Sequence, residues 1–263
     1  MKTERQSEIV DRLELAGTVS VIDLSSEFAV SEMTIRRDLL ELETAGLVRR
    51  THGGATRSLG RAFEPPFRMR SASSSASKAA IAAAAAAYVR EGDAIGLDVG
   101  STVIEMIPAF AHVDNLTVVT ASLRVANRVT ELHALERSVR LIVTGGVTRA
   151  DELSLTGQRA IDCYQEIRLD KAFISVGGLE LDGGATEFNL EDADVKRAMI
   201  ASAREVVILA DSSKFHQTGF AHVMDLTQAA TIITDSGIDA DVLQELRAAG
   251  IQVEVVLVSA DHQ

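Results

Sequence analysis

Residues 30–55 read VSEMTIRRDLLELETAGLVRRTHGGA. Ile35, Leu39 and Leu42 recur at i, i+4 and i+7, the spacing of one buried helical face. Ser31 precedes that pattern and is placed to cap it, and Gly46 ends it. At about 100° per residue, burying the three apolar side chains turns Arg37 to the opposite side, with Thr34 and Arg36 on its flanks. Upstream, Glu4 to Ala16 carries Ile9, Val10 and Leu13 at helical spacing and stops at Gly17. Val21 to Ala29 forms a second short helix with Leu24 and Phe28 on one face, and Val30 a tight turn. Three short helices with a brief link before the third is helix-turn-helix anatomy. Leu47 to Ala55 reads as a two-stranded wing with a glycine turn, and Arg49, Arg50 and His52 make it basic. Adjacent arginines near the start of a recognition helix suit phosphate and guanine contacts in a major groove. The candidate contacts to double-stranded DNA are therefore Ser31, Thr34, Arg36, Arg37, Arg49, Arg50 and His52. The plainer reading is a three-helix interaction module with solvated arginines. Asp38, Glu41 and Glu43 lean that way unless they orient Arg36 and Arg37 by pairing along the helix.

Charge separates this module from the rest. The whole chain of 263 residues carries 26 basic and 38 acidic residues, a net −12, which argues against nucleic acid as a global partner. Thr44 to Lys78, however, holds seven basic residues against the single acid Glu64, a net +6. From Ala79 onward the net is −13. A small basic part joined to a large acidic body points to nucleic-acid contact, although a basic linker without a ligand would look the same. Apolar residues are 46% and charged residues 24%, a globular mixture. One cysteine, Cys163, excludes an intramolecular disulfide and a multi-cysteine zinc site. The histidines lack a metal spacing, and neither metal nor cofactor is expected. A charged N-terminus and the lack of a long apolar run predict a cytoplasmic protein with no membrane partner.

Residues 58–77, SLGRAFEPPFRMRSASSSAS, read as a linker between a DNA-binding domain over 1–57 and a second domain over 78–263. After an alanine-rich helix from Ala76 to Arg90, short β-branched runs alternate with helical patterns. The strand candidates are Ala94–Val99, Leu116–Thr120, Arg140–Thr144, Lys171–Val176, Glu205–Ala210, Ala229–Thr234 and Ile251–Val258. Near-continuous apolar runs of this kind predict a mostly parallel α/β sheet covered on both faces. Three turns following strands suit an anion: Asp98-Val99-Gly100-Ser101-Thr102 before a helix near Val103, Thr120-Ala121-Ser122, and Thr144-Gly145-Gly146. Each also reads as an ordinary cap or turn. Together they would gather on the C-terminal edge of the sheet, where such folds bind ligands. Lys196 and Lys214 are candidate counter-charges, although Lys196 also reads as a solvated helix lysine paired with Asp192.

Val30 to Ala55 closely resembles the winged helix-turn-helix of DeoR-family bacterial transcriptional regulators, and EPPFRMR resembles the segment before that family's effector domain. LDVGSTVIEMIP, VVTASLRVANRV, VTGG, SLTG, VKRAMI and ILADSSKF stand in the family's order, so the resemblance covers nearly the whole chain. It implies a second domain related to sugar-phosphate isomerases and used as a sensor. It also implies that Asp98, Gly100, Ser101, Thr102, Thr120, Ser122, Gly145, Gly146, Lys196 and Lys214 surround a phosphorylated sugar or a related metabolite. Thr120-Ala121-Ser122 departs from the family's commoner Thr-Asn-Ser, which removes one amide contact. The function expected is a ligand-responsive repressor of sugar-metabolism genes, a homo-oligomer because operators are usually two-fold. The alternative is a sugar-phosphate isomerase fused to a DNA-binding module. Against it, the turn Ser175-Val176-Gly177-Gly178-Leu179 offers no carboxylate base until Glu180.

Overall fold

The structure, a computed structural model, describes residues 2–44, 47–57, 60–110, 112–133 and 139–258. Gly46, residues 58 and 59 of the expected linker, and the last five residues lie outside it. The chain divides into two compact units between Ser73 and Ser74.

The first unit contains helices Lys2–Ala16, Val21–Glu27 and Glu32–Thr44 and a three-stranded antiparallel sheet. Gly17, at φ +73°, closes the first helix in the left-handed conformation, its N–H donating to the Leu13 carbonyl. The Ser20 hydroxyl accepts from the Ile22 and Asp23 amides and caps the second helix. Ser31 caps the third, accepting from the Thr34 amide at 3.2 Å. Ile9, Leu13, Leu24, Ile35, Leu39 and Leu42 form the core, as the helical spacing predicts. The wing strands Val48–Thr51 and Gly54–Arg57 pair antiparallel, and Thr18–Ser20 adds a third strand against Gly54–Arg57. A three-residue strand is too short to show a period, so this strand has no signal in the sequence. The expected linker is partly ordered: Phe67–Ala72 is a helix starting directly after Pro66. It packs within the first unit, where Ser7 Oγ donates to the Met69 carbonyl and Ser73 Oγ to the Asp11 carboxylate.

The second unit holds a seven-stranded, wholly parallel sheet. Its order is Val253–Val256, Thr231–Asp235, Ala203–Leu209, Leu169–Ser175, Ala94–Leu97, Leu116–Thr120, Val139–Val143. All seven expected strands are present, shifted by a few residues at their ends. Both faces are apolar. Ala172, Ile174, Val206, Ile208 and Ile232 enter one core, and Phe173, Val207, Leu209 and Ile233 the other. That is why the runs look continuous rather than alternating. The chain builds outward from Ala94–Leu97 to Val139–Val143, then returns and builds the other way from Leu169–Ser175. The order therefore reverses between these two inner strands, and the crevice at such a reversal is where open α/β sheets bind ligands. Two antiparallel pieces sit beside this sheet: the hairpin Val147–Arg149 with Ser154–Thr156, and the strands Gly178–Glu180, Gly184–Glu187 and Ala221–Met224. None exceeds four residues, and the sequence pattern predicts none of them.

Candidate nucleic-acid interface and effector site

In the third helix Ile35, Asp38, Leu39 and Leu42 are buried, while Glu32, Met33, Arg36, Arg37 and Leu40 are exposed. Arg36 and Arg37 stand on the outward face. Arg36 pairs with Glu32 at 3.3 Å and Arg37 with Glu41 at 3.6 Å, both exposed and both one turn apart. Such pairs are worth about 0.3–0.5 kcal/mol, so a phosphate or a guanine edge can replace the carboxylate at small cost. The expectation that Asp38 orients these arginines does not hold. Asp38 is 1% exposed and takes the Arg5 guanidinium at 2.6 Å, tying the third helix to the first. Glu43 turns to the wing, where it accepts from the Arg50 amide at 2.9 Å. Thr34 is half-buried, its hydroxyl 2.9 Å from that of Ser31, so both serve the helix cap. Arg49, Arg50 and His52 are exposed on the wing and its turn. Gly54 is fixed by close approach, since a Cβ there would lie 1.8 Å from the Val19 carbonyl oxygen.

In the second unit, parallel register sets Leu97 beside Thr120 and Thr120 beside Val143. The three turns that follow these strands therefore stand side by side on the C-terminal edge. Thr120 and Ser122 are structural there. Thr120 Oγ1 donates to the Leu97 carbonyl at 2.7 Å and accepts from the Ser122 amide, and Ser122 Oγ caps the helix Leu123–His133 through the Val125 amide. Gly100 packs so closely that a Cβ would lie 2.1 Å from Ser175 Oγ. Gly146, at φ +122°, would place a Cβ 2.4 Å from the Thr156 carbonyl oxygen. The helix expected near Val103 is only a 3₁₀ turn, Val103–Glu105, followed by Met106–Ala109. The dipole that argued for an anion there is correspondingly small. The hydroxyls of Ser101 and Thr102 take no hydrogen bond among the described residues, and neither caps this turn.

Lys196 is not a solvated helix lysine. Asp192 is not its partner; Asp192 pairs with Arg149 from the short hairpin. Lys196 is 3% exposed, and its Nζ lies 2.9 Å from Asp98 Oδ2, 2.6 Å from Glu187 Oε2 and 2.6 Å from the Ser175 carbonyl oxygen. Asp98 Oδ2 also accepts from Ser175 N at 3.0 Å and Ser175 Oγ at 2.9 Å. Burial lowers the affinity of the Lys196 amine for its proton, but the carboxylates of Asp98 and Glu187 outweigh it and hold the group above the ordinary lysine range. The cluster joins both inner strands at the sheet reversal and carries two carboxylates on one ammonium. The carboxylate oxygens are hydrogen-bond acceptors. Lys196 thus ties Asp98, Glu187 and the Ser175 carbonyl together. Glu187 and Ser175 escape sequence reasoning, because nothing in local spacing ties them to position 98 or 196. Lys214 ends the 3₁₀ turn Ser212–Lys214, half-buried and with no ion pair among the described residues. Ser212 and Ser213 are held by Asp235 and Asp211. No described cluster of His, Cys, Asp and Glu side chains could hold a metal, and no described helix is long and apolar enough to cross a membrane.

Residues 5–58 match the DeoR-like helix-turn-helix domain, and residues 73–236 match the DeoR C-terminal sensor domain. The chain is 30% identical over 254 residues to the glycerol-3-phosphate regulon repressor of Escherichia coli (strain K12), covering 97% of this chain and 99% of that one. It is 33% identical over 255 residues to the HTH-type transcriptional regulator GlpR of Haloferax volcanii, covering 96% and 97%. The HTH-type transcriptional repressor CsqR of E. coli K12 is 30% identical over 247 residues, covering 93% and 91%. Among solved structures, ribose 5-phosphate isomerase from Plasmodium falciparum aligns at a TM-score of 0.39 and 15% identity over 54% of this chain and 52% of that one. The matched families and the full-length relatives are transcriptional regulators and not enzymes, and the isomerase alternative has no support among them. The chain belongs to the DeoR family of transcriptional regulators.

Proposed function

We propose that this protein is a cytoplasmic transcriptional repressor of sugar-metabolism genes, binding a two-fold operator as a homo-oligomer and released or retained by a phosphorylated sugar. The observation that carries the DNA half is the outward face of the third helix, where Arg36 and Arg37 stand exposed with only weak pairs to hold them. The wing residues Arg49, Arg50 and His52 serve as backbone contacts, and Ser31 and Thr34 set the start of the recognition helix. The effector lies along the C-terminal edge of the parallel sheet. Its hydroxyls meet the Asp98 and Glu187 carboxylates organised by Lys196. Its phosphate meets the buried hydroxyls of Ser101 and Thr102, the backbone at Gly100, Gly145 and Gly146, and the ammonium of Lys214. Thr120 and Ser122 shape the middle turn. Coupling requires that the effector bind the DNA-competent and DNA-incompetent states with different affinities. The experiment is fluorescence anisotropy on labelled DNA from the gene's own upstream region, with and without a panel of phosphosugars, for the native chain and Lys214→Met. Salt-sensitive binding that one sugar alters, with the response lost in Lys214→Met while operator affinity is kept, is the expected result. Binding that no phosphosugar alters would overturn the effector assignment. No preference over random duplex would overturn the repressor.

A further inference from the structure

We propose that Met33 reads a base pair, contacting the 5-methyl group of a thymine in the major groove. The inference rests on the DNA-binding reading above and goes beyond the arginine contacts. Met33 is the second residue of the helix Glu32–Thr44 and is 73% exposed, more than any other large apolar residue among those described in the first unit. Its exposure has no structural return: the core beneath the helix is complete with Ile35, Leu39 and Leu42. Three and four residues on stand Arg36 and Arg37, so all three side chains share one outward face in the first turns of the helix. The N-terminal residues of a recognition helix are the ones that reach base edges. On that face the arginines offer donors suited to guanine and phosphate. Neither distinguishes thymine, whose one unique mark in the groove is its methyl group. An unbranched thioether with three rotatable bonds can lie against that methyl between the two guanidinium groups. Leu40, also exposed, lies two turns further along and is out of range of the same base pair.

The test removes the methyl group and nothing else. A preferred duplex is selected from random sequence with the full-length protein, and each thymine is replaced in turn by deoxyuridine. Native protein should lose about fourfold in affinity at one thymine of each half-site, the equivalent of one methyl returned to water, about 0.8 kcal/mol. Met33→Ala should bind the thymine duplex about as weakly as the native chain binds the deoxyuridine duplex, and should be indifferent to the methyl at that position alone. Met33→Gln, which keeps length but not apolar character, should behave as Met33→Ala. Circular dichroism should show both variants folded, since the side chain contributes nothing to the core. Indifference of the native chain to every deoxyuridine would overturn the proposal. So would an unchanged deoxyuridine profile in Met33→Ala. Failure to select any preferred duplex would instead refute the DNA-binding reading on which the proposal stands.

Discussion

Replacing Lys196 by methionine removes the ammonium that lies between the buried Asp98 and Glu187 carboxylates at the sheet reversal. In the native chain each lies within 3 Å of the ammonium, which is 3% exposed. Taking one partner out of a buried charge cluster costs about 3–5 kcal/mol, because the remaining charges have already lost their water. For a unit of this size each kcal/mol moves the melting point by about 2–4 °C, so Lys196→Met should melt about 6–20 °C lower in the transition of the second unit. Adding Glu187→Gln removes one of the two carboxylate charges and should recover part of the loss, a non-additivity expected of groups in contact. The pH dependence has a definite sign. Lys196 is held above its ordinary value of 10.5 in the folded chain. Its contribution is therefore fully present below that value and is lost only as the pH rises through the folded one. The deficit of the variant should be level from neutral pH to about pH 9 and should narrow only in stronger alkali. Thermal melts followed by circular dichroism across that range give the measurement. A variant within about 1 kcal/mol of the native chain at pH 7 would show that the ammonium does not hold the carboxylates, as would a deficit that closes below pH 9.

Arg36→Ala and Arg37→Ala should each weaken operator binding and lower the salt slope by about one for every phosphate left without its cation, while melting within about 0.5 kcal/mol of the native chain; anisotropy titrations at several salt concentrations check this. Gly54→Ala forces a Cβ into the Val19 carbonyl oxygen, so the wing should separate from Thr18–Ser20 and amide exchange there should lose protection, with DNA affinity falling in parallel. The Cys163 thiol is pushed up by burial and then by Glu166, so its alkylation by iodoacetamide should be slow at neutral pH and rise only beyond the ordinary thiol range.

Elements with a continuous apolar run or one apolar face are legible in the sequence, and short strands without either are not. The seven parallel strands are visible because both of their faces are apolar, and the three helices of the first unit because Ile35, Leu39, Leu42 and their neighbours keep one face. The short strands that carry Glu187 and Arg149, GATE and VTR, have no apolar run to mark them, and so the partners of Lys196 and Asp192 stay hidden. Local spacing favours pairing these two, one turn apart on the same helix. Tertiary geometry sets each against a residue brought from elsewhere in the chain: Asp98 and Glu187 for the lysine, Arg149 for the aspartate. The same competition moves Asp38 from the arginines of its own helix to Arg5. The ordered helix Phe67–Ala72 is masked by the prolines before it and the serines after it, although Met69 is an apolar residue with a core to join.

If one chain couples an operator to a phosphosugar, the two affinities are linked. Isothermal titration would give the affinity of the effector for the free protein and for the operator-bound protein. If the two sites are coupled, the operator must change effector affinity by the same factor by which the effector changes operator affinity. Equal affinity for the two forms would mean that the sugar, however tightly it binds, does not control the DNA.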